Sequence, residues 1–332
     1  MYQLETCDPV DWDHELGGFP ERTVFHTSPW LRSVARTYKL EMALYRVVSG
    51  DSCVALLPYF TTRKGPFRVF GSPFPGTSTP YLGPLLSPTG DAASALAALL
   101  RTSPLRRASY FFCRVQDERQ PVNLQPYGFR AVRRFETFIL DLDKTEEALW
   151  AGLDSKCRNL VRRAEKSAVE IRAEMNSDFV DDFWDMSKEV FAKSGLVPSW
   201  TRDFTLDMFK SLIECNRLVV LSAFVQGTRI ATSLFPHDDR TMYYWAGASR
   251  REYLSMSPNN LVLWRAIQTA RQLNLPKFDF VSAGGRPGKF KQSFGPERVA
   301  VSTHWEYSGS RLVDTAKRVY EHFAHRRRTA TV

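Results

Sequence analysis

Three stretches of this chain gather residue types that could do chemistry. The first is Asp154-Ser155-Lys156-Cys157-Arg158-Asn159-Leu160-Val161-Arg162-Arg163-Ala164-Glu165-Lys166-Ser167-Ala168. At about 100° per residue, Cys157, Leu160, Val161, Ala164 and Ala168 share one stripe. Arg158, Arg162 and Lys166 fall opposite, flanked by Lys156 and Arg163. One face would pack while the other presents cations. That face is either a contact for phosphate or RNA, or a solvated charge run. The second stretch is Gly284-Gly285-Arg286-Pro287-Gly288-Lys289-Phe290-Lys291-Gln292-Ser293-Phe294-Gly295-Pro296, directly after an apolar strand. Glycines let backbone approach a ligand, and cations beside them could hold an anion or an oxyanion; a hairpin with exposed lysines is the other reading. It lacks the spacing and terminal Lys-Ser/Thr of a phosphate-binding P-loop. The third is Tyr243-Tyr244-Trp245-Ala246-Gly247-Ala248-Ser249 followed by Ser257-Pro258-Asn259-Asn260, a strand leading into a capped helix N-terminus. Such a junction can cradle an anion, yet Arg250 to Met256 contain no glycine, and the cap can equally be only a cap.

Other chemistries find no footing. There is no Gly-x-Ser-x-Gly elbow, no His-Glu-x-x-His and no dinucleotide fingerprint. Cys7, Cys53, Cys113, Cys157 and Cys215 have neither zinc-ligand nor redox spacing, so reduced thiols and no metal are expected. Joining an activated acyl group to an amine needs less machinery: a donor already activated, a deprotonated amine and an oxyanion stabiliser.

The elements that must position these residues read as follows. Pro29-Trp30-Leu31 opens a helix, with Arg32 and Arg36 on its polar side. Ala43 to Val48 and Val54 to Phe60 read as strands around the turn Ser49-Gly50-Asp51. The Pro- and Gly-rich run Gly71 to Pro84 carries aromatics and reads as an ordered loop or sheet edge. Ala92 to Leu100 is helical; Tyr110 to Val115 and Thr137 to Leu142 are strands. In the second half, Thr145 to Ala168, Phe179 to Phe191 and Phe204 to Cys215 are helical. Leu218 to Phe224, Ile230 to Phe235 and Thr241 to Ala246 are strands. Helix Asn259 to Leu273, strand Phe278 to Val281, strand Ala300 to Tyr307, a helix Leu312 to Phe323 and a basic tail complete the order. Helices and mostly antiparallel strands thus recur twice, without a visible sequence repeat. The expectation is an α/β (α+β) chain of two domains, 1–148 and 149–310, with helix 311–332 returning to the first.

At 332 residues the chain can bury two cores, and 43% hydrophobic with 24% charged residues is globular. The start Met1-Tyr2-Gln3-Leu4-Glu5 has no basic or apolar leader, so a cytoplasmic location is expected. A net charge of +9 favours polyanions or phosphorylated partners: nucleic acid, an anionic membrane face or a nucleotide-linked substrate.

One family has these features in this order. Phe25-His26-Thr27-Ser28-Pro29-Trp30, the basic helix Lys156 to Lys166, Arg217-Leu218 before a strand, the Tyr-Tyr-Trp-Ala-Gly-Ala run, and Phe290-Lys291 before Phe294-Gly295 resemble Fem-type (FemAB- and FemX-like) aminoacyltransferases. The wider relatives, BioF2-like and CelD-like acetyltransferases of the GNAT superfamily, match as well. The resemblance spans about residues 25 to 307 and implies a tandem pair of GNAT-like domains. Fem-type enzymes move an amino acid from aminoacyl-tRNA to an amine of a nucleotide- or lipid-linked peptidoglycan precursor, with no permanently bound cofactor. The resemblance implies that Lys291 stabilises the oxyanion beside Phe290, that Tyr244 lines the acceptor site and that Arg240 holds precursor phosphate. Trp30, in the first of these motifs, joins the candidate substrate-binding residues, as do Asn259 and Asn260 at the capped helix N-terminus read above as a possible anion cradle. The family's phosphate lysine in the first domain has no counterpart here; Arg32 or Arg36 could substitute. Lys156, Arg158, Arg162, Arg163, Lys166 and Lys289 would meet tRNA. The chain lacks the long coiled-coil insertion of well-known members. An acyl-CoA donor with a small amine or polysaccharide-precursor acceptor is the alternative, and a non-catalytic RNA- or membrane-binding relative a further one.

Overall fold

The computed structural model describes residues 2–88, 91–102, 107–116, 122–284 and 287–317. They form two compact units, 2–135 with 300–317 and 136–299. Residues 136–148, assigned above to the first domain, therefore fall in the second unit, and residues 300–310, assigned to the second, fall in the first.

In the first unit β1 (Tyr2–Thr6), α1 (Pro9–Glu15), α2 (Ser28–Tyr38), β2 (Glu41–Ser49), β3 (Ser52–Lys64) and β4 (Phe67–Ser72) come first. Then follow β5 (Leu85–Leu86), α3 (Ala92–Thr102) and β6 (Tyr110–Gln116). The chain passes into the second unit within β7 (Arg130–Asp141) and returns within β14 (Glu297–Ser308). The sheet order is β1-β2-β3-β4-β6-β14, antiparallel except for the parallel pair β4 and β6. Strand alternation sends Phe111, Cys113, Val115 and Trp305 into one core with Leu96 and Leu99 of α3. The run Gly71 to Pro84 is mostly buried: Gly83 sits so close to the carbonyl of Arg114 that a Cβ would lie 2.1 Å from that oxygen. Residues 311–317 are helical, and Asp314 and Lys317 bind Ser308 and Glu306 of β14 at 2.7 and 2.6 Å. The rest of the expected helix to Phe323 and the basic tail lie outside the described residues.

The second unit continues with α4 (Glu146–Gly152), α5 (Ser155–Lys166), β8 (Glu170–Ala173), α6 (Phe179–Ala192) and α7 (Arg202–Ile213). Then come β9 (Leu218–Val225), β10 (Thr228–Pro236), β11 (Thr241–Tyr243), β12 (Ala246–Ser249), α8 (Pro258–Gln272), β13 (Lys277–Asp279) and α9 (Pro287–Gln292). One sheet runs β12-β10-β9-β8, wholly antiparallel; β11 pairs in parallel with β13, which pairs antiparallel with β7. The buried faces of α5 and α8, with Val161, Ala164, Leu261 and Ile267, build the core together with Phe235, Phe278 and Phe294.

Two sequence expectations are corrected. Thr145 to Ala168 is not one helix but two, because Leu153 is extended and Asp154 starts α5 as its N-cap. The run Thr241 to Ala246 is not one strand: backbone pairing passes from β13 to β10 across Tyr244 and Trp245. Among the described residues no helix is long and apolar enough to cross a membrane, and all five cysteines are free.

Candidate active site

The centre of the second unit's site is a turn held by an acid and closed by a lysine. β13 ends at Asp279, a buried residue whose Oδ1 accepts from the Thr137 hydroxyl and from the Val281 N–H, both at 2.6 Å. Those bonds stabilise Val281 at φ 68°, a left-handed conformation that a β-branched residue adopts only under constraint. The carbonyls on either side of Val281, those of Phe280 and Ser282, both accept from Lys291 Nζ, at 2.7 and 3.2 Å. Lys291 comes from α9, a short helix that docks closely: a Cβ at Gly288 would lie 2.6 Å from the carbonyl oxygen of Ala283. Phe290 anchors the same helix edge-on against Phe294, with ring centroids 5.5 Å apart.

Lys291 is 9% exposed. Burial disfavours its charged form and pushes the pKa down from 10.5 to about 8, against the opposing pull of Asp279. An ammonium has three donors. Two are taken by the turn, so the lysine is fixed in place with one N–H to offer. Its Nζ stands 5.6 Å from the centroid of the Tyr244 ring.

Tyr244 lies where the chain changes sheets. Its N–H donates to the carbonyl of Asp279 at 2.8 Å, and the next N–H, of Trp245, to Leu234. The Tyr244 ring stacks on Phe235, and burial raises its pKa to about 12, so the phenol stays protonated. Gly247 leaves room for it. A Cβ there would meet the Tyr244 hydroxyl at 2.4 Å and Ser233 Oγ at 2.6 Å. The preceding loop is braced by buried Asp238, which accepts from the N–H groups of Arg240 and Thr241 and from the Tyr243 hydroxyl. The result is a hydroxyl, an aromatic face and a buried cation within one unit, a set able to bind and polarise a carbonyl.

The other candidates take varied places. Asn259 donates to Ser249 Oγ at 2.9 Å and Asn260 to Cys157 Sγ at 3.6 Å, so both amides tie α8 to its neighbours. Arg240 is half-buried, and Lys289 is exposed on α9. Lys156, Arg162, Arg163 and Lys166 are exposed along α5, with Arg162 5.4 Å from the Trp150 ring. Arg158 instead turns back to the carbonyls of Ala151 and Leu153 at the end of α4. In the first unit Arg32 and Arg36 are exposed, whereas Trp30 is fully buried, its indole N–H donating to Thr79. A groove of about 810 Å³ lies elsewhere in the second unit, beside Glu165, Arg172 and Arg265. Asp279 escapes the sequence reading, and Thr137, Val281 and Gly247 enter it only as members of strands and motifs, without a role. The one available signal is Asp279 itself, an acid set between Phe278 and Phe280 in an otherwise apolar strand.

Residues 154–292 match the family model described as an acetyltransferase (GNAT) domain. No curated protein matches the sequence. Among solved structures, FemX superposes with a TM-score of 0.73 at 13% identity, covering 92% of this chain and 97% of FemX. A tandem GNAT protein from the clavulanic acid biosynthesis pathway superposes at 0.56 with 10% identity, over 93% and 99% of the two chains. L-PGS from Bacillus licheniformis does so at 0.56 with 13% identity, over 92% and 94%. The fold is a tandem pair of GNAT-like domains with mixed, mostly antiparallel sheets flanked by helices, Fem-like in its whole course, and the matched domain makes the protein an acyltransferase.

Proposed function

We propose that this GNAT-fold acyltransferase moves an aminoacyl group from a charged tRNA to an amine of a peptidoglycan precursor or a peptide-like metabolite. The observation that carries the reading is Lys291: a buried cation, fixed by two backbone carbonyls, with one N–H left beside Tyr244. When an amine attacks an ester carbonyl, the C–N bond forms and negative charge grows on the carbonyl oxygen. Then the C–O bond breaks, the leaving hydroxyl takes up a proton and the amine gives one up. A cation held near that oxygen stabilises the transition state more than the neutral ground state, and needs no reorganisation to do so. The Tyr244 ring walls the space beside that cation, its centroid 5.6 Å from Lys291 Nζ. Arg240 would hold phosphate of the acceptor, and the exposed cations of α5 and Lys289 would meet the tRNA backbone. The FemX-like course of the whole chain favours the aminoacyl donor.

An acyl-CoA donor with a small amine acceptor is the second reading. The acetyltransferase match over residues 154–292 favours it, as does the likeness to a tandem GNAT protein whose name refers to AcCoA. Against it stands the approach to α8: residues Arg251–Met256 form a glycine-free 3-10 helix, which leaves no bare backbone to grip a pyrophosphate. Transfer of radiolabel from charged tRNA, run beside acetyl-CoA with the same amine acceptors, decides between them. Label transferred only from acetyl-CoA would overturn the first reading. RNA binding without turnover of either donor would leave a non-catalytic relative.

A further inference from the structure

The face of the first unit's sheet opposite its apolar core carries polar groups whose hydrogen bonds are not made. β6 and β14 run antiparallel, with Arg114 across from His304 and Gln116 across from Ser302. Alternation along the strands puts these four on one face and Phe111, Cys113, Val115 and Trp305 on the other. Ser302 is fully buried and its Oγ has no hydrogen-bond partner. The same holds for Arg114 Nε, Gln116 Nε2 and His304 Nε2, each shielded from solvent.

The electrostatics of that face are one-sided. The Arg114 guanidinium lies 3.9 Å from the Phe135 ring centroid, and that of Arg133 lies 5.2 Å from the same ring. Arg114 gives one N–H to the carbonyl of Pro80, and no carboxylate of a described residue pairs with it. Burial lowers its pKa only to about 10, so it stays charged at neutral pH. Glu306, the acid on this face, is taken up by Lys317 at 2.6 Å and Arg130 at 3.3 Å. His304 Nε2 stands 3.4 Å from Glu306 without hydrogen-bond geometry, and burial keeps the imidazole neutral by pushing its pKa down to about 4.

A buried donor without a partner costs stability, so four on one face are retained at a loss to the fold. All four can donate: a guanidinium N–H, an amide NH₂, a hydroxyl and a ring N–H. A ligand that offers only acceptors, and negative charge to meet Arg114, matches the donor chemistry of all four. We propose that the β6–β14 face of the first unit binds an oxyanion, the phosphate or carboxylate of a small ligand, with Arg114 as its charge partner and Gln116, Ser302 and His304 as neutral donors. Charge-assisted bonds from guanidinium to oxyanion are the strong ones, and the surrounding neutral donors set the fit. The site stands whether or not the acyl-transfer reading holds.

The test titrates the full chain with pyrophosphate and, separately, with succinate, following heat and the ¹H–¹⁵N resonances of the His304 ring. One of the two saturates with a stoichiometry of one and shifts the His304 signal; which one identifies phosphate or carboxylate as the source. Ser302→Ala and Gln116→Leu each weaken that binding by about tenfold, and each raises the ligand-free Tm because an unmet buried polar group is gone. These two variants keep Arg114 and its bond to Pro80, so the fold is not at stake. The proposal fails if neither anion saturates, or if Ser302→Ala binds as tightly as the wild type. It fails equally if both variants lower Tm, since their groups then make bonds that hold the fold. Binding lost with Lys291→Ala, rather than with Ser302→Ala, would put the anion in the second unit and overturn it too.

Discussion

Lys291 and the cations of α5 lie in the same unit and carry the same formal charge, yet water treats them differently. Lys156, Arg162, Arg163 and Lys166 are solvated, so holding them costs the fold little and each can change with small effect. Lys291 has been drawn out of water and is fixed by the carbonyls of Phe280 and Ser282, at the expense of a left-handed Val281 and a buried Asp279. A chain keeps such an arrangement for what it does, whereas a solvated charge run needs no purpose at all. The proposed function assigns chemistry to one place and encounter to the other, and mutation can break that division.

The largest effect belongs to Lys291. Lys291→Ala should lower kcat by about a hundredfold or more, measured as transfer from the productive donor, with circular dichroism unchanged. Full turnover in that variant would remove the lysine from the chemistry. Protonation sharpens the point. The wild-type kcat should fall as pH rises through about 8, where the ammonium is lost. Lys291→Arg should restore little activity, because a planar fork replaces a point charge, but the residual rate should lose that alkaline limb. A limb that persists in the arginine variant belongs to another group.

Gly247→Ala comes next. The added methyl would press on the Tyr244 hydroxyl and Ser233 Oγ, so the ring must swing from its place beside Lys291. A fall in kcat of about tenfold is expected, since small misplacements near a reacting centre are costly. An unchanged rate would show that the Tyr244 position is not used.

Stability should move the other way. A lysine pKa lowered from 10.5 to about 8 means that the unfolded chain binds the extra proton more readily. Below pH 8 both states are protonated, and the burial penalty, about 3 kcal/mol, is present in full. Between pH 8 and 10.5 the unfolded state holds more protons, so this group's contribution to stability rises with pH and levels off above. Lys291→Met should therefore stabilise the protein at pH 7 by about 1–3 kcal/mol in urea unfolding and flatten that rise. The lower end allows for the two hydrogen bonds lost with the ammonium. A destabilised variant would mean that the Val281 turn depends on the lysine.

Much of this arrangement was legible in the residue order, and what was not is instructive. α2, β2, β3, α6 and α8 announce themselves by periodicity, because each packs one stripe or face against a core. The division of β11 from β12 is silent, since Tyr243 to Ala246 is apolar throughout and only the partners differ. α9 hides in a run rich in Gly and Pro, where close docking of Gly288 on Ala283, not propensity, secures the helix. β1 and β8 are short and lie at sheet edges, where the pattern is weakest. Lys291, Phe290 and Tyr244 stand out as candidates from their motif, but the support beneath them does not. Asp279 orders the turn through the Val281 N–H, a backbone contact that no side-chain pattern records.

The smallest effects belong to the exposed cations. Arg158 shares a helical-wheel face with Arg162 and Lys166, but it is committed to the carbonyls of Ala151 and Leu153, where it closes the end of α4. Reversing Arg162, Arg163 and Lys166 to Glu should leave Tm nearly unchanged, weaken binding of tRNA and reduce the slope of log affinity against log salt by about two to three. With the aminoacyl group supplied on a small ester that lacks the tRNA body, the same triple variant should turn over at close to the wild-type rate. Arg158→Glu alone should instead lower Tm, because two carbonyls lose their donor and gain a carboxylate. Lys289→Ala, exposed two residues before Lys291, should change kcat less than about twofold, as one solvated charge among several. If the triple reversal leaves both RNA affinity and salt slope unchanged, the α5 face is solvated surface and nothing more. If Lys289 proves more damaging than Lys291, the buried lysine is structural, and the division between chemistry and encounter falls with it.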